Sequence, residues 1–172
     1  KGDGSLRKKI VAALPYQLTG SQKTALDEIL ADMAAPTRML RLLQGDVGSG
    51  KTVVALLAMA NAIEAGGQAA LLAPTDILAR QHFATLEPLC AKAGIELALL
   101  TGREKGKARE ALLARLASGD LKLIVGTHAL VQEGVDFADL RLAIVDEQHR
   151  FGVKQRQALA DKGAGVDLLV MT

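Results

Sequence analysis

Gly45, four residues, then Gly50-Lys51-Thr52 is a spacing with a chemical purpose. Across Gln44-Gly45-Asp46-Val47-Gly48-Ser49-Gly50-Lys51-Thr52 the glycines let the backbone wrap, so that successive N–H groups converge on one anion at a helix N-terminus. The ligand expected of such a loop is a nucleoside triphosphate. Lys51 would reach the β- and γ-phosphates as a point charge, and the Thr52 hydroxyl would ligate Mg²⁺. Further along, Leu140-Arg141-Leu142-Ala143-Ile144-Val145 runs straight into Asp146-Glu147. Two adjacent acids at the C-terminal end of an apolar strand sit where open α/β sheets bind ligands, and they are costly there unless a cation arrives. Mg²⁺ carried by the triphosphate supplies that charge. Asp146 would hold it, directly or through water, and Glu147 would orient and deprotonate the attacking water.

These groups need strands and helices to carry them. The loop follows an apolar run over residues 39–43 and precedes a helical run over 53–59, which reads as strand, loop and helix in succession. Upstream, Arg7, Lys8 and Lys9 stand beside Ile10, Val11 and Leu14 in a short basic amphipathic helix over 6–14 with a solvated face, ended by Pro15. Thr19-Gly20-Ser21 supplies N-cap chemistry for a helix over about 21–34, whose Ala25, Leu26, Ile29, Leu30 and Met33 keep a helical period. After Gly66-Gly67 the spacing predicts a strand over 69–73, a helix from Asp76 to about Lys92 and a strand over 95–100. A basic-faced helix with Leu112, Leu113 and Leu116 on its inner side follows, then strands over 121–125 and 140–145, a helix around 153–162 and a strand over 166–171. Apolar strands alternating with helices predict an α/β fold of three layers, a parallel sheet with helices on both faces and right-handed crossovers.

The chain of 172 residues suits one domain, and 49% hydrophobic residues suffice for its core. With aromatics at 2%, that core is built from Leu, Ala, Val and Ile. A net charge of +2 permits nucleic-acid binding without requiring it. The lone Cys90 excludes an internal disulfide, and its series with Ala79, Phe83 and Leu86 marks a core-facing helix position. His82, His128 and His149 lack zinc-ligand spacing with Cys90. No stretch suits a membrane span and no signal-peptide pattern opens the chain, so a cytoplasmic protein is expected. A guanine-nucleotide switch would need an Asn-Lys-x-Asp reader, yet the only asparagine is Asn61, followed by Ala62. A small-molecule kinase would need a basic lid, and a purely nucleic-acid-binding module has no use for Lys51, Thr52, Asp146 and Glu147 together.

The loop, together with Asp146-Glu147-Gln148-His149, resembles the first motor domain of superfamily 2 helicases, and most closely the RecG family of branched-DNA helicases. The resemblance extends through Pro74-Thr75-Asp76-Ile77-Leu78-Ala79-Arg80-Gln81-His82, Val125-Gly126-Thr127-His128-Ala129-Leu130 and the residues from Arg150 to Arg156. Related translocases of the transcription-repair coupling or primosome type are the alternative, but Ser49 and Gln148 favour RecG. The resemblance implies a RecA-like P-loop fold, with ATP and Mg²⁺ as cofactors and branched DNA, a fork or a Holliday junction, as partner. It implies that Gln22 reads the adenine edge, that Tyr16 stacks on the purine, and that Gln148 and His149 sense the γ-phosphate. Pro74, Thr75, Arg80, Thr101, Gly102, Gly126, Thr127 and His128 match positions that contact a DNA backbone. On this basis residues 1–14 are a basic helix or linker and 15–172 the motor domain, cut at its third helicase motif. A wedge domain would precede and a second motor domain would follow. An arginine from that second domain contributes on the order of 10³ to 10⁵ in rate, so the fragment alone is expected to hydrolyse ATP weakly or not at all.

Overall fold

The structure, a computed structural model, describes residues 4–35, 39–43, 50–132, 134–146 and 166–171. Residues 44–49 of the glycine loop, Glu147, Gln148, His149 and the helix expected around 153–162 lie outside them.

Six strands, β1 (Leu40–Leu43), β2 (Gln68–Leu72), β3 (Leu97–Leu100), β4 (Leu123–Gly126), β5 (Leu140–Asp146) and β6 (Asp167–Met171), make one sheet in the order β1-β6-β5-β2-β4-β3. Every pair is parallel, so all six C-terminal ends share one edge. The helices are α1 (Ser5–Ala13), α2 (Gly20–Ala34), α3 (Lys51–Glu64), α4 (Asp76–Ala93) and α5 (Gly106–Ser118), with a 3-10 turn at His128–Val131. Strand alternation divides the core into two layers. Leu71, Val125, Ile144 and Leu169 lie on the side of α3 and α4, on which α1 and α2 pack in turn, whereas Leu72, Ile124, Ala143 and Val145 lie on the side of α5. Helices therefore cover both faces, as the alternation of elements predicts. Burial explains the composition of the middle elements. β2 and β4 are buried along their whole length, and α3 is apolar all round, with Val53 to Ala62 removed from solvent.

Three departures from the sequence reading have local causes. β3 begins at Leu97 rather than Ile95, because the Ile95 N–H turns back to the Cys90 carbonyl at 2.8 Å in the turn that ends α4. β4 begins at Leu123 rather than Leu121, whose N–H donates to the Arg115 carbonyl at the end of α5. Finally, α1 is docked rather than merely solvated. Lys8 and Lys9 are exposed, but Ile10 is fully buried. The fully buried Glu64 carboxylate at the end of α3 accepts from the Leu6 N–H at 3.0 Å and from Arg7 Nε at 2.9 Å. Gln68 does similar work at the start of β2. Its buried amide donates to the carbonyls of Leu116 and Leu121 and accepts from the Asp139 N–H, tying three elements together. Among the described residues no helix is long and apolar enough to cross a membrane.

Candidate functional site along the sheet edge

Strand register decides what can meet. Leu43 at the end of β1 pairs with Met171 of β6, and Met171 pairs with Asp146 of β5. At a strand spacing of about 4.8 Å, the backbone leaving β1 toward the glycine loop stands ~10 Å from Asp146. On the other side of β5, Val145, Leu72, Gly126 and Leu100 are level across β5, β2, β4 and β3. The residues that follow them, Asp146, Ala73, Thr127 and Thr101, thus line one continuous edge.

Gly50, Lys51 and Thr52 open α3, the helix that follows β1 in the chain. Gly50 caps α3 at φ 82, and its carbonyl accepts from the N–H groups of Val53 and Val54. Lys51 and Thr52 are half-buried in the first turn. A Cβ at Gly50 would stand 1.8 Å from Gln22 Nε2, so a side chain there would displace that amide. That amide belongs to a capping box that the Thr19-x-x-Gln22 spacing announces. Gln22 N donates to Thr19 Oγ1 at 3.1 Å, Thr19 N donates to Gln22 Oε1 at 2.8 Å, and Gln22 Nε2 donates to the Gly50 carbonyl at 3.4 Å. Gln22 is buried rather than the solvated helix residue its position alone suggests. Tyr16 is 48% exposed and lines an open pocket of about 540 Å³ with Pro15, Leu18 and Lys23; Gln22 does not line it.

Asp146 is almost wholly buried, with its side chain 3% exposed, and its Oδ2 lies 2.7 Å from Nε2 of His82 in the second turn of α4. Sequence reasoning considered His82 only as a metal ligand, and nothing in a 64-residue separation announces this contact. Among the described residues no group of three or more His, Cys, Asp or Glu could hold a metal ion. One buried carboxylate and the Thr52 hydroxyl make no closed cage. They suit Mg²⁺, which keeps waters and is held by one or two carboxylates together with substrate phosphates.

The β2, β4 and β3 ends carry the other predicted residues. Exposed Thr75 caps α4, its hydroxyl accepting from the Leu78 N–H at 3.1 Å, and Pro74 precedes it half-buried. Arg80 donates through Nε to Asp76 Oδ2 at 3.0 Å and through Nη2 to Glu104 Oε1 at 3.3 Å, with Thr101 Oγ1 at 3.5 Å. Thr101 is buried, and its N–H and hydroxyl both donate to Glu104 Oε2, at 2.6 and 2.7 Å. Arg103 pairs with Asp76 Oδ2 at 3.3 Å, and Gly102 beside it is exposed. The neighbouring Thr101, Arg80 and Arg103 together hold the Asp76 carboxyl below its usual range. Burial alone would raise Glu104, but the Thr101 hydroxyl and N–H and the Arg80 charge outweigh it and leave its carboxyl lowered. On β4, a Cβ at Gly126 would stand 2.3 Å from the Leu100 carbonyl oxygen, so the residue's bareness serves strand packing. Thr127 is buried, its N–H donating to that carbonyl and its hydroxyl accepting from the Ala129 N–H, and His128 is exposed. The edge brings Thr75, Arg80, Thr101, Gly102, Thr127 and His128 together, yet the Thr101 and Thr127 hydroxyls face inward. Missed from sequence were Glu104 and Asp76, though the i,i+4 spacing of Asp76 and Arg80 is a readable pairing signal.

Comparison with known proteins gives a consistent picture. The profile of a family described as "DEAD/DEAH box helicase" matches residues 19–166. The chain is 54% identical over 164 residues to "ATP-dependent DNA helicase RecG" of Bacillus subtilis (strain 168), covering 95% of this chain and 24% of that protein. A solved structure, "Structure of RecG bound to three-way DNA junction", superposes with a TM-score of 0.87 at 47% identity, over 99% of this chain and 23% of that one. A DEAD-box helicase bound to ssRNA and UDP-BeF shares the fold alone, with a TM-score of 0.75 at 16% identity over 99% of this chain and 38% of that one. The chain spans about a quarter of the length of the curated RecG relatives it matches.

Proposed function

The chain belongs to the DEAD/DEAH box helicase family, and from that premise we propose that it is the ATP-binding motor domain of a RecG-type helicase that couples ATP hydrolysis to remodelling of branched DNA. The supporting observation is the level edge. The strand leading to the glycine loop and the strand ending in Asp146 stop one strand apart, and the loops bearing Thr75, Thr101 and Thr127 continue the same line. A triphosphate at one end and a DNA strand at the other are then neighbours.

In this reading Gly45, Asp46, Val47, Gly48, Ser49 and Gly50 wrap the phosphates, and Lys51 neutralises the β- and γ-oxygens. Thr52 and Asp146 hold Mg²⁺, which when bound supplies positive charge at the phosphate oxygens. His82 fixes the orientation of Asp146 through its 2.7 Å contact. Glu147 takes the proton of the attacking water, and Gln148 and His149 register the loss of the γ-phosphate. Tyr16 lines the pocket for the purine, and Gln22 presents its amide at the Gly50 turn. Pro74, Thr75, Arg80, Thr101, Gly102, Gly126, Thr127 and His128 form the track for one DNA backbone, where the exposed Thr75 and His128 and the Arg80 guanidinium are within reach of it. The motor domain occupies 15–172, with 1–14 as the helix leading into it. It works in the cytoplasm alongside a wedge domain and a second motor domain of the same parent chain.

The test uses the full-length parent. Lys51→Ala abolishes ATP binding by calorimetry, and Glu147→Gln keeps ATP binding while losing DNA-stimulated turnover. Unchanged affinity in the first variant, or normal turnover in the second, refutes the assignment.

A further inference from the structure

Thr101 and Arg80, placed above on the proposed DNA track at the end of β3, already hold an anion that belongs to the chain. Glu104 Oε2 accepts the Thr101 N–H and the Thr101 hydroxyl, and Glu104 Oε1 accepts from Arg80. A backbone amide, a hydroxyl and a guanidinium converging on the two oxygens of one anion is the donor set that phosphodiester oxygens use. Resting on the DNA reading above, we infer that Glu104 is an internal stand-in for a strand phosphate: it fills the Thr101–Arg80 cradle when no DNA is present and must swing out for that phosphate to dock. Glu104 thereby sets how tightly this end of the track holds DNA.

Three observations separate this from a contact that merely closes a turn. The first is charge. Arg80, Arg103, Asp76 and Glu104 form a mutually paired group of two cations and two carboxylates. A phosphodiester carries one negative charge, so exchanging it for Glu104 leaves the balance intact. The second is access. The Glu104 side chain keeps 24% of its surface in solvent, whereas Thr101 is 1% exposed, so the carboxylate has a way out that its partner lacks. Glu104 also precedes α5, whose N-cap is Lys105, and a change of its rotamers does not break the helix. The third is the anchoring of Arg80. Its Nε stays on Asp76 Oδ2 while the bond that Glu104 gives up is made by Nη2, so the guanidinium is held in place for the incoming oxygen. Asp76 is itself committed to the cluster, with Oδ1 buried and without a hydrogen bond among the described residues.

The experiment is equilibrium binding of a fluorescently labelled oligothymidylate to the full-length parent, read by anisotropy across a series of NaCl concentrations. Glu104→Gln keeps an oxygen for the Thr101 N–H and removes the charge. It tightens binding at low salt by about fivefold. In the wild type a docked phosphate sheds a cation while the expelled Glu104 gathers one. In the variant only the first occurs, so log affinity falls more steeply with log salt than in the wild type. Glu104→Asp, too short to span Thr101 and Arg80 together, shows a smaller tightening and guards against a misfolded Gln variant. Arg80→Ala separates the two levels of inference. If it weakens DNA binding while neither Glu104 variant tightens it, Glu104 only closes the turn and the stand-in role is overturned. If Arg80→Ala has no effect either, the DNA track itself is misplaced and the stand-in role falls with it.

Discussion

Replacing Gly50 by alanine tests the junction between the start of α3 and α2, and its cost follows from two separate terms. The backbone at Gly50 has φ 82, a left-handed conformation that costs an alanine about 1–2 kcal/mol. The new Cβ would also stand 1.8 Å from Gln22 Nε2 and 3.1 Å from Cδ, so the amide must move. Gln22 is only 7% exposed and its Oε1 closes the capping box on Thr19, so moving it costs about 1 kcal/mol of cap. Gly50→Ala should therefore lose about 2–3 kcal/mol in urea unfolding. Gln22→Ala alone should lose about 1 kcal/mol, the cap without the strain. The double variant should be no less stable than Gly50→Ala, because the cap is lost once in either case. The two losses then fail to add by about 1 kcal/mol. A loss under about 0.5 kcal/mol for Gly50→Ala, or strict additivity, would refute the reasoning.

Two further predictions concern packing. Glu64→Ala leaves the Leu6 N–H and Arg7, whose side chain is only 20% exposed, without their buried acceptor, for a loss of about 2–3 kcal/mol. Hydrogen exchange should show α1 losing protection before the sheet, and unchanged protection at Leu6 contradicts the anchor. For Cys90, burial, with a smaller contribution from Glu87, pushes the thiol up to about 12. It should resist a disulfide reagent at pH 8 until the chain unfolds. Because the folded value lies above the ordinary 9.0, the stability this group contributes is intact below pH 9.0 and is lost as pH climbs toward about 12. Cys90→Ala should flatten that alkaline decline, and rapid native labelling at pH 8 contradicts the burial.

What sequence reveals here tracks how local the cause is. The order of strands and helices follows from short apolar runs bounded by Gly66-Gly67, Pro74 and Gly119-Asp120, and a sheet with helices on both faces follows from their alternation. The capping box is spelled out by Thr19 and Gln22, three residues apart, and the Asp76–Arg80 pair by one helical turn. Even element ends yield partly: Ile95 has a strand former's chemistry, and its N–H is claimed by the turn that closes α4. The contacts that shape the candidate site are of another kind. Glu64 with Arg7, Arg80 with Glu104 and His82 with Asp146 join residues 57, 24 and 64 positions apart, brought together only when helices settle on the sheet. No periodicity encodes those distances.

The His82–Asp146 contact makes α4 a rigid rod with a different correspondent at each station. Its N-terminal end carries Thr75, Asp76 and Arg80, and two residues beyond Arg80 it grips the acid at the end of β5 through His82. Thermodynamic reciprocity then binds the two stations. If, as proposed, a DNA strand sits on that end and a triphosphate meets Asp146, whatever factor the strand applies to triphosphate affinity by shifting the rod, the triphosphate must return to the strand undiminished.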